Sequence, residues 1–444
     1  MRRILAVCSV VGLLACAGFA QAPQPAQNQR MTGQSALSTD SSDSADTIKA
    51  LMQEVKELKA RVAALEARQA QPSPEQPSSA KPAVAAETMK QEGPSSEGQT
   101  TNPEPVTGLF PGIRMSGFGA LSYKATDARP PEAGLLGFRS NLNSNFAIGD
   151  VDLFLTSHLT SKASVLSEVV FSENAEKEFE IDVERLLLKY DFNDYLKLSF
   201  GRYHTGASYY NTVFHHGQWL QTAADRPLVV EFSDHGGLLP SQGVGISMTG
   251  KIPSGALGLN YLFEYGSSNI HRPSIANPDV EIAENNGQAT TIGLFAKPDW
   301  LQGLQFGGSF YHDRINPDGG PLHIGQSIGS AHLVYLTPRF EFLNEGFVVQ
   351  HKVQETGQKL NTPAFYSLIS EKFGEKWRPY FRYQYINAST QSPLFADVTL
   401  RHGPSVGLRY DYNDYIALKT QYDRTFRRQL PDINDLLLQL AFRF

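Results

Sequence analysis

The end of the chain, DLLLQLAFRF at 435–444, alternates between apolar and mixed side chains. Every even position from 436 onward is leucine or phenylalanine, whereas the odd positions include Gln439 and Arg443. A period of two places successive side chains on opposite faces of a β-strand. The stretch therefore predicts a strand with one wholly apolar face and an aromatic ring at its final position.

Composition limits the classes to which the protein can belong. The chain has 444 residues, a formal net charge of −6 and 19% charged residues, which gives no reason to expect a nucleic-acid partner. Beyond the N-terminus, no apolar run approaches the roughly 18–20 residues that a membrane-spanning helix needs. A membrane barrel is compatible with the mean hydropathy of −0.30, because every second residue of a barrel strand can be polar.

The N-terminus, MRRILAVCSVVGLLACAGFA at 1–20, has the features of an export signal. Two arginines precede an apolar stretch, and small residues before Ala20 form a cleavage site. Both cysteines, Cys8 and Cys16, lie in this signal, so the mature chain has no disulfide and no cysteine–metal site. Alternatively, LLAC is a lipobox and Cys16 is kept as a lipidated N-terminus.

Three segments separate the signal from the rest of the chain. Residues 21–45 are rich in Gln, Ser, Ala and Pro and are predicted to be disordered, and 71–111 forms a Pro/Ser-rich linker. Between them, 46–70 predicts a coiled-coil helix, because its charges at g and e suit a parallel partner. A lone amphipathic helix is the alternative. The coiled-coil core positions are Ile48, Leu51, Val55, Leu58, Val62 and Leu65.

From residue 112 onward, alternating segments of about 9–13 residues recur, which is the length that a tilted strand needs to cross a bilayer. Sixteen such segments lie in 112–444. Short connections such as TSK and DFND alternate with longer ones, as in outer-membrane barrels, whose short turns lie in the periplasm. The predicted fold is all-β: a 16-stranded antiparallel transmembrane β-barrel preceded by a short N-terminal coiled-coil helix.

Two short connections share one sequence pattern, YDFNDYLKL at 190–198 and YDYNDYIAL at 410–418. Aromatic residues next to such turns are predicted to lie at the membrane interface, where barrels carry an aromatic girdle. These residues are Tyr190, Phe192, Tyr195, Tyr410, Tyr412 and Tyr415.

Charged residues alternate with apolar ones in several segments, such as 146–159 and 399–411. A charge facing lipid costs a few kcal/mol at mid-membrane, so the charged set is predicted to face a wet interior. A soluble two-sided sheet is the alternative. It would give no reason for an aromatic girdle, or for short turns at one end of the strands and long loops at the other. The predicted pore-lining residues of the strands are Asp150, Asp152, Arg202, Arg382, Arg401, Arg409 and Lys419.

The longest connection, 204–242, follows the fifth segment. Sixteen strands leave an aqueous channel unless a loop fills it, so this loop is predicted to fold inward and narrow the channel. Its apolar residues favour packing inside the barrel, whereas the alternative is an ordinary surface loop. The predicted constriction residues are His204, His215, His216, Trp219, Asp225, Arg226, Glu231, Asp234 and His235.

No cofactor, metal site or enzymatic activity is predicted. The histidines of 204–242 lack the HExxH spacing of a zinc protease. GPSVG at 403–407 matches GxSxG, but that motif needs a strand–turn–helix elbow and here lies inside an alternating strand. A barrel hydrolase that uses Ser405 is the least favoured hypothesis.

The chain resembles the phosphate-selective porin O and P family. LKLSFGRYHTG at 196–206 is similar to the strand that enters that family's constriction loop, with Arg202 facing inward, but 206–208 reads Gly-Ala-Ser where the family has Pro-Phe-Gly. The resemblance implies a homotrimer in the lipid of a Gram-negative outer membrane, with the coiled coil in the periplasm. The final Phe444 resembles the signal that bacterial barrels present to their assembly machinery.

Charge counts argue against the phosphate selectivity that the resemblance implies. Ten of the 39 Lys and Arg residues and 11 of the 45 Asp and Glu residues precede residue 112, which leaves 29 basic and 34 acidic residues in the barrel. A phosphate channel needs inward-facing Arg and Lys. The predicted function is passive diffusion of small hydrophilic solutes or ions. The alternatives are a plugged barrel acting as a structural or adhesion anchor, and a phosphate-selective anion channel.

Overall fold

The computed structural model describes residues 112–128, 144–173, 179–214, 217–231, 237–269, 287–316, 323–428 and 430–444, with Lys56, 272–273 and 281–283. The chain divides into two units, Met1–Glu87 and Thr88–Phe444, and the second contains all of the strands described below. In the predicted coiled coil only Lys56 is described, as an exposed helical residue. The six predicted core positions of that helix lie outside the described residues.

Sixteen long strands form the wall of the second unit, and β2 runs in two segments. Their bounds are β1 Ile113–Thr126, β2 Ser144–Ile148 and Val151–His158, β3 Ala163–Glu173, β4 Phe179–Asn193, β5 Leu196–His204, β6 Gln242–Lys251, β7 Leu259–Asn269, β8 Gln288–Ala296, β9 Leu304–Ile315, β10 Ile324–Leu336, β11 Phe340–Val353, β12 Lys359–Glu371, β13 Trp377–Asn387, β14 Leu400–Asp411, β15 Ile416–Arg427 and β16 Ile433–Arg443. The short strands Arg272–Pro273 and Glu281–Ala283 pair with each other.

The strands form one antiparallel sheet that closes on itself. Each strand pairs with its neighbours in sequence, and β1 pairs with β16 from Phe118↔Arg443 to Thr126↔Asp435. Closure removes the two free edges that an open sheet would expose, as a wall surrounded by lipid requires. The predicted 16-stranded antiparallel barrel is therefore confirmed.

The C-terminal aromatic residues complete the closure of the barrel. The backbone N–H of Phe444 donates to the carbonyl of Gly117 (3.0 Å), and the N–H of Gly117 donates to the carbonyl of Phe444 (2.9 Å). A methyl group on Gly119 would lie 2.6 Å from the Phe442 ring, so glycine leaves room for that ring on the outer face. Pairing of β16 with β1 therefore depends on the alternating pattern of β16 and on the glycines of β1.

Burial alternates along the strands as the sequence predicts. On β16, Leu436, Leu438 and Leu440 are exposed, whereas Gln439 and Ala441 are buried. The exposed set is apolar and the buried set is partly polar. The apolar face is therefore the outer face of the wall, and the polar face points into the barrel.

Irregularities interrupt the pairing of the wall at several points, including β4, β2 and the end of β4 next to β5. In β4, Glu184 is an extra residue, because Arg185 pairs with Glu168 while Val183 pairs with Val169. In β2, residues 149–150 separate the two segments that pair with β1. By contrast, β11 pairs with β12 without a register shift.

The repeated turn sequence forms the same structure twice. The Asn193 side-chain oxygen accepts from the N–H groups of Tyr195 (2.8 Å) and Leu196 (3.0 Å). In the second copy, Asn413 accepts from Tyr415 and Ile416, both at 2.8 Å. An Asx turn therefore links the strands at both sites and leaves the aromatic side chains beside it exposed.

Helical structure is sparse in the described residues. Besides Lys56, it consists of α1 (Tyr209–Val213) and the 3₁₀ turns Leu228–Val230 and Gly255–Leu257. No helix in the described part of the chain is both long and apolar enough to cross a membrane.

Replacing Leu438 with arginine tests which face of β16 meets lipid. Leu438 lies midway along the strand on the outer face. We expect Leu438→Arg to lower the free energy of unfolding by about 2–4 kcal/mol, because the guanidinium would lie in hydrocarbon. Denaturant titration in phosphatidylcholine vesicles measures this value. Leu430→Arg, the same change between β15 and β16, should cost less than about 0.5 kcal/mol. Equal losses would contradict the outward assignment.

Candidate functional site

Residues 205–241, here called the inner segment, connect β5 to β6. Their described parts, 205–214, 217–231 and 237–241, pack against polar and apolar side chains of the inner wall. Their ends are joined, since the N–H of Thr205 donates to the carbonyl of Ser241 (3.0 Å). The segment contributes Ala207, Tyr210, Phe214, Ala223, Val229, Val230, Leu238 and Leu239 to one buried apolar cluster with inward-facing residues of β8–β13.

That cluster makes one side of the interior dry. The wall supplies Tyr311, Ile328, Leu343, Phe347, Val349, Tyr366, Leu368 and Tyr380, all at inward positions of their strands. These side chains and the inner segment exclude water from each other. The predicted wet interior therefore does not extend to the wall formed by β9–β13.

Glu345 on β11 anchors the start of the inner segment. Its buried carboxylate accepts from the backbone N–H groups of Tyr209 (2.7 Å) and Tyr210 (2.8 Å) and from the hydroxyls of Ser208 (3.1 Å) and Tyr366 (2.6 Å). Ser208 is also the N-cap of α1. The negative charge thus meets the N–H groups that a helix leaves unpaired at its first turn.

Arg382 on β13 binds the middle of the inner segment. Its guanidinium donates to the Asp225 carbonyl oxygen (2.9 Å) and to the Asp225 carboxylate (2.6 Å). It also lies 3.6 Å from the carboxylate of Asp423 and 3.1 Å from the Ser405 hydroxyl. Arg382 is only 1% exposed, so its charge is offset by two carboxylates rather than by water.

Two more predicted pore-lining cations donate to backbone carbonyls of the inner segment. Arg409 donates to the carbonyls of Trp219 (2.7 Å) and Gln221 (3.0 Å), and its guanidinium lies 5.0 Å from the centre of the Trp219 ring. Lys419 donates to the carbonyl of Ala223 (3.1 Å) and to that of Gln218. Both cations therefore hold a stretch of backbone that has no secondary structure of its own.

Neutral amide side chains complete the attachment. Gln421 accepts from the N–H of Ala224 (3.0 Å), and Gln439 donates to the Ala224 carbonyl (3.0 Å). Gln384 accepts from the N–H of Leu228 (3.0 Å). The sequence analysis selected none of these glutamines, nor Glu345, as a site residue. The alternation of the strands, which puts Gln384, Gln421 and Gln439 on the same face as the inward cations, was the available signal for the glutamines.

The wall formed by β3–β7 carries a different set of charges. On β3, the buried Glu168 pairs with Arg185, and the His204 ring nitrogen lies 3.6 Å from it. Glu264 on β7 accepts from the N–H of Gly206 (3.0 Å). On β13–β15, by contrast, the inward cations lie beside carboxylates, with Asp423 near Arg382 and Asp411 near Arg409.

Arg202 does not join this cluster. It lies opposite Leu186 on β4 and Val244 on β6, both of which are exposed on the outer face. Its guanidinium donates to the Asp182 carboxylate (3.1 Å) and to the Gln242 side chain. Arg202 therefore lies on the outer face of the wall, and the inward orientation predicted from the sequence is wrong.

The other predicted site residues have varied surroundings. Arg401 donates to the carbonyl of Val398 (2.9 Å), which ties β14 to the preceding loop. Asp152 is fully buried on β2, Asp150 lies at the β2 interruption, and Glu231 follows the 3₁₀ turn of the inner segment. The predicted constriction residues that lie outside the described part of the chain are His215, His216, Asp234 and His235.

Burial also changes the ionisation of groups on the inner segment. The Arg226 guanidinium donates to the Val230 carbonyl (2.8 Å) and lies 5.2 Å from the centre of the Tyr210 ring. Loss of hydration raises the pKa of the Tyr210 hydroxyl and lowers the pKa of Arg226. Tyr210 therefore stays protonated and donates to the Gln221 side chain (2.5 Å). Among the described residues, no group of three or more His, Cys, Asp or Glu is placed to hold a metal ion.

Comparison with known proteins supports the fold. No family model matches the chain, and no curated protein matches it. The anion-selective porin from Comamonas acidovorans superposes with a TM-score of 0.52 at 11% identity, over 75% of this chain and 99% of that one. The outer membrane channel DcaP of Acinetobacter baumannii gives 0.52 at 9% identity, over 75% and 97%. The chain therefore has a porin-type barrel, and its resemblance to the phosphate-selective family stays a prediction.

Glu345→Ala tests how the inner segment is anchored. We expect it to lower the free energy of unfolding by at least about 2 kcal/mol, because two buried N–H groups lose their acceptor. Glu345→Gln, which keeps one acceptor oxygen, should cost less. Denaturant titration measures both values.

Glu371→Ala is the matched control, since Glu371 makes an exposed ion pair with Arg339. It should cost at most about 1 kcal/mol. If Glu345→Ala costs no more than this control, Glu345 does not anchor the inner segment.

Proposed function

We propose that the protein is an outer-membrane channel through which small hydrophilic solutes or ions diffuse passively, and that the inner segment narrows it. One observation carries the proposal: Arg382, Arg409 and Lys419 on the inner wall hold backbone of residues 218–225. A segment attached in this way occupies part of the lumen, and sixteen strands otherwise enclose an aqueous channel.

The same contacts argue against phosphate selectivity. Each of the three cations already donates to carbonyl oxygens, and Arg382 also faces Asp225 and Asp423. A phosphate entering the lumen would compete with these acceptors for every donor. The 34 acidic and 29 basic residues from 112 onward add a small negative balance. We therefore infer weak selectivity with a preference for cations.

Assembly and location are part of the proposal. The apolar outer face and the closed barrel suit insertion in lipid, with the short turns in the periplasm. A homotrimer and a periplasmic coiled coil at 46–70 are supported by the family resemblance and the heptad pattern. Nucleic acid has no role in this proposal.

A plugged barrel acting as a structural or adhesion anchor is the second candidate. The observation that favours it is the dry cluster of the inner segment with β8–β13, which fills one side of the interior. A channel then needs the space beside the acidic wall of β3–β7. Conductance separates the two candidates.

The decisive experiment is single-channel recording of the purified protein in a planar bilayer under a KCl gradient. We expect discrete steps, a reversal potential on the cation side, and no block of current by millimolar phosphate, since the inward cations are engaged. An anion-side reversal potential with phosphate block would support the phosphate channel instead. Absence of steps from folded protein would support the plugged anchor.

A further inference from the structure

The outer face of β9–β12 ends, on the side of the long loops, in a row of cations. Arg314 lies opposite Gly325, Gly325 lies opposite Lys352, and Lys352 lies opposite Lys359, so one row crosses four strands. All three cationic side chains are exposed. No hydrogen bond or ion pair joins them to another described residue. We call Arg314, Lys352 and Lys359 the cationic row.

Among the described residues, Glu355 is the exposed carboxylate closest in sequence to the cationic row, and it already has a partner. It pairs with His323 at 2.6 Å. Lys352 and Lys359 are directly opposed on adjacent strands, an arrangement that repels like charges. The repulsion falls if an external anion lies between the two ammonium groups.

Below the cationic row, the outer face changes from polar to apolar. The next row is His312, Ser327, Gln350 and Asn361, in which His312 bonds Ser327 (3.0 Å) and Gln350 donates to Asn361 (2.9 Å). The row after that is Phe310, Gly329, Val348 and Pro363. From loop to mid-wall the order is thus cationic, neutral polar and apolar, which matches the polarity order of a lipid in the outer leaflet.

The apolar part has the shape of a shallow trough. The outward positions of β10 are small, Ser327, Gly329 and Ala331, while Phe310 and Val348 on the neighbouring strands are 52% and 48% exposed. A Cβ atom added at Gly329 would meet no neighbouring atom within 4 Å. The trough therefore has room for one extended hydrocarbon chain between Phe310 and Val348.

We propose that this surface binds a phosphate-bearing lipid of the outer leaflet. The phosphate lies among the side chains of the cationic row, the polar row meets the lipid's neutral polar groups, and one acyl chain follows the trough on β10. Charge-assisted bonds from arginine and lysine to phosphate supply the specificity. The inference rests on the proposed insertion of the barrel in the outer membrane, but not on conduction.

A second copy of the barrel suits this surface less well. Three of the described carboxylates near the same end already have partners: Asp127 bonds Asn434 (2.6 Å), Asp432 pairs with Arg424 (3.3 Å), and Glu173 accepts from the N–H of Ile148 (3.1 Å). A docked copy that used one of these three would have to break its contact to neutralise the cationic row. A lipid phosphate would neutralise the cationic row without breaking any of these contacts.

Native mass spectrometry of the full-length protein in detergent, titrated with diphosphorylated lipid A, tests the proposal. The triple variant Arg314→Gln, Lys352→Gln, Lys359→Gln should bind the lipid about tenfold or more weakly. Lipid A without phosphates should bind the unmodified protein as weakly as diphosphorylated lipid A binds the triple variant. Gly329→Leu, which keeps all three cations, should also weaken binding because it fills the trough.

The matched control is Lys162→Gln, Arg339→Gln, Lys376→Gln, which removes the same charge from exposed residues at the short turns. It should leave binding unchanged within about twofold. Three results would overturn the proposal: undiminished binding by the first triple variant, equal binding of dephosphorylated lipid, or an equal loss in the control. Planar-bilayer currents are recorded separately, so absence of conductance leaves this test intact.

Discussion

The backbone of residues 218–225 needs hydrogen-bond partners inside the barrel, and the rest of the interior depends on how the wall supplies them. Arg382, Arg409 and Lys419 donate to its carbonyls, and glutamines on β15 and β16 pair with the backbone N–H and carbonyl of Ala224. A buried backbone without such partners would cost a few kcal/mol for each unpaired group. The inward cations could in principle bind anions in the lumen, but their donors are occupied by the carbonyls of the inner segment.

This use of the cations gives the interior two unlike sides. On β8–β13 the inner segment and the wall form a dry apolar cluster, with Glu345 binding the first turn of α1. On β3 and β7 the wall carries Glu168 and Glu264. The inward cations Arg382, Arg409 and Lys419 are bonded to the inner segment, so they do not form a free row of positive charges along the lumen.

The sequence predicts the barrel well because period-two alternation fixes which side chains share a face. The alternation of side chains along each strand, here called parity, predicts that Arg382, Arg409 and Lys419 face inward, and the structure has them there. Parity fails along 340–353, since Leu343, Phe347 and Val349 are apolar and yet inward, packed against the inner segment. It also misplaces Arg202, whose face is set by register with Leu186. The pairing of wall side chains with loop atoms depends on contacts over more than a hundred residues, which no local pattern contains.

The most direct test of this account is a crosslink between the inner segment and the wall. Ala224 and Leu437 belong to one buried cluster, and the predicted mature chain has no cysteine, so Ala224→Cys with Leu437→Cys introduces a single pair. Mild oxidation of the folded protein in vesicles should join the two residues in nearly every molecule. A pair that stays reduced, with position 224 open to a membrane-impermeant thiol reagent from the loop side, would contradict an inner segment held against the wall.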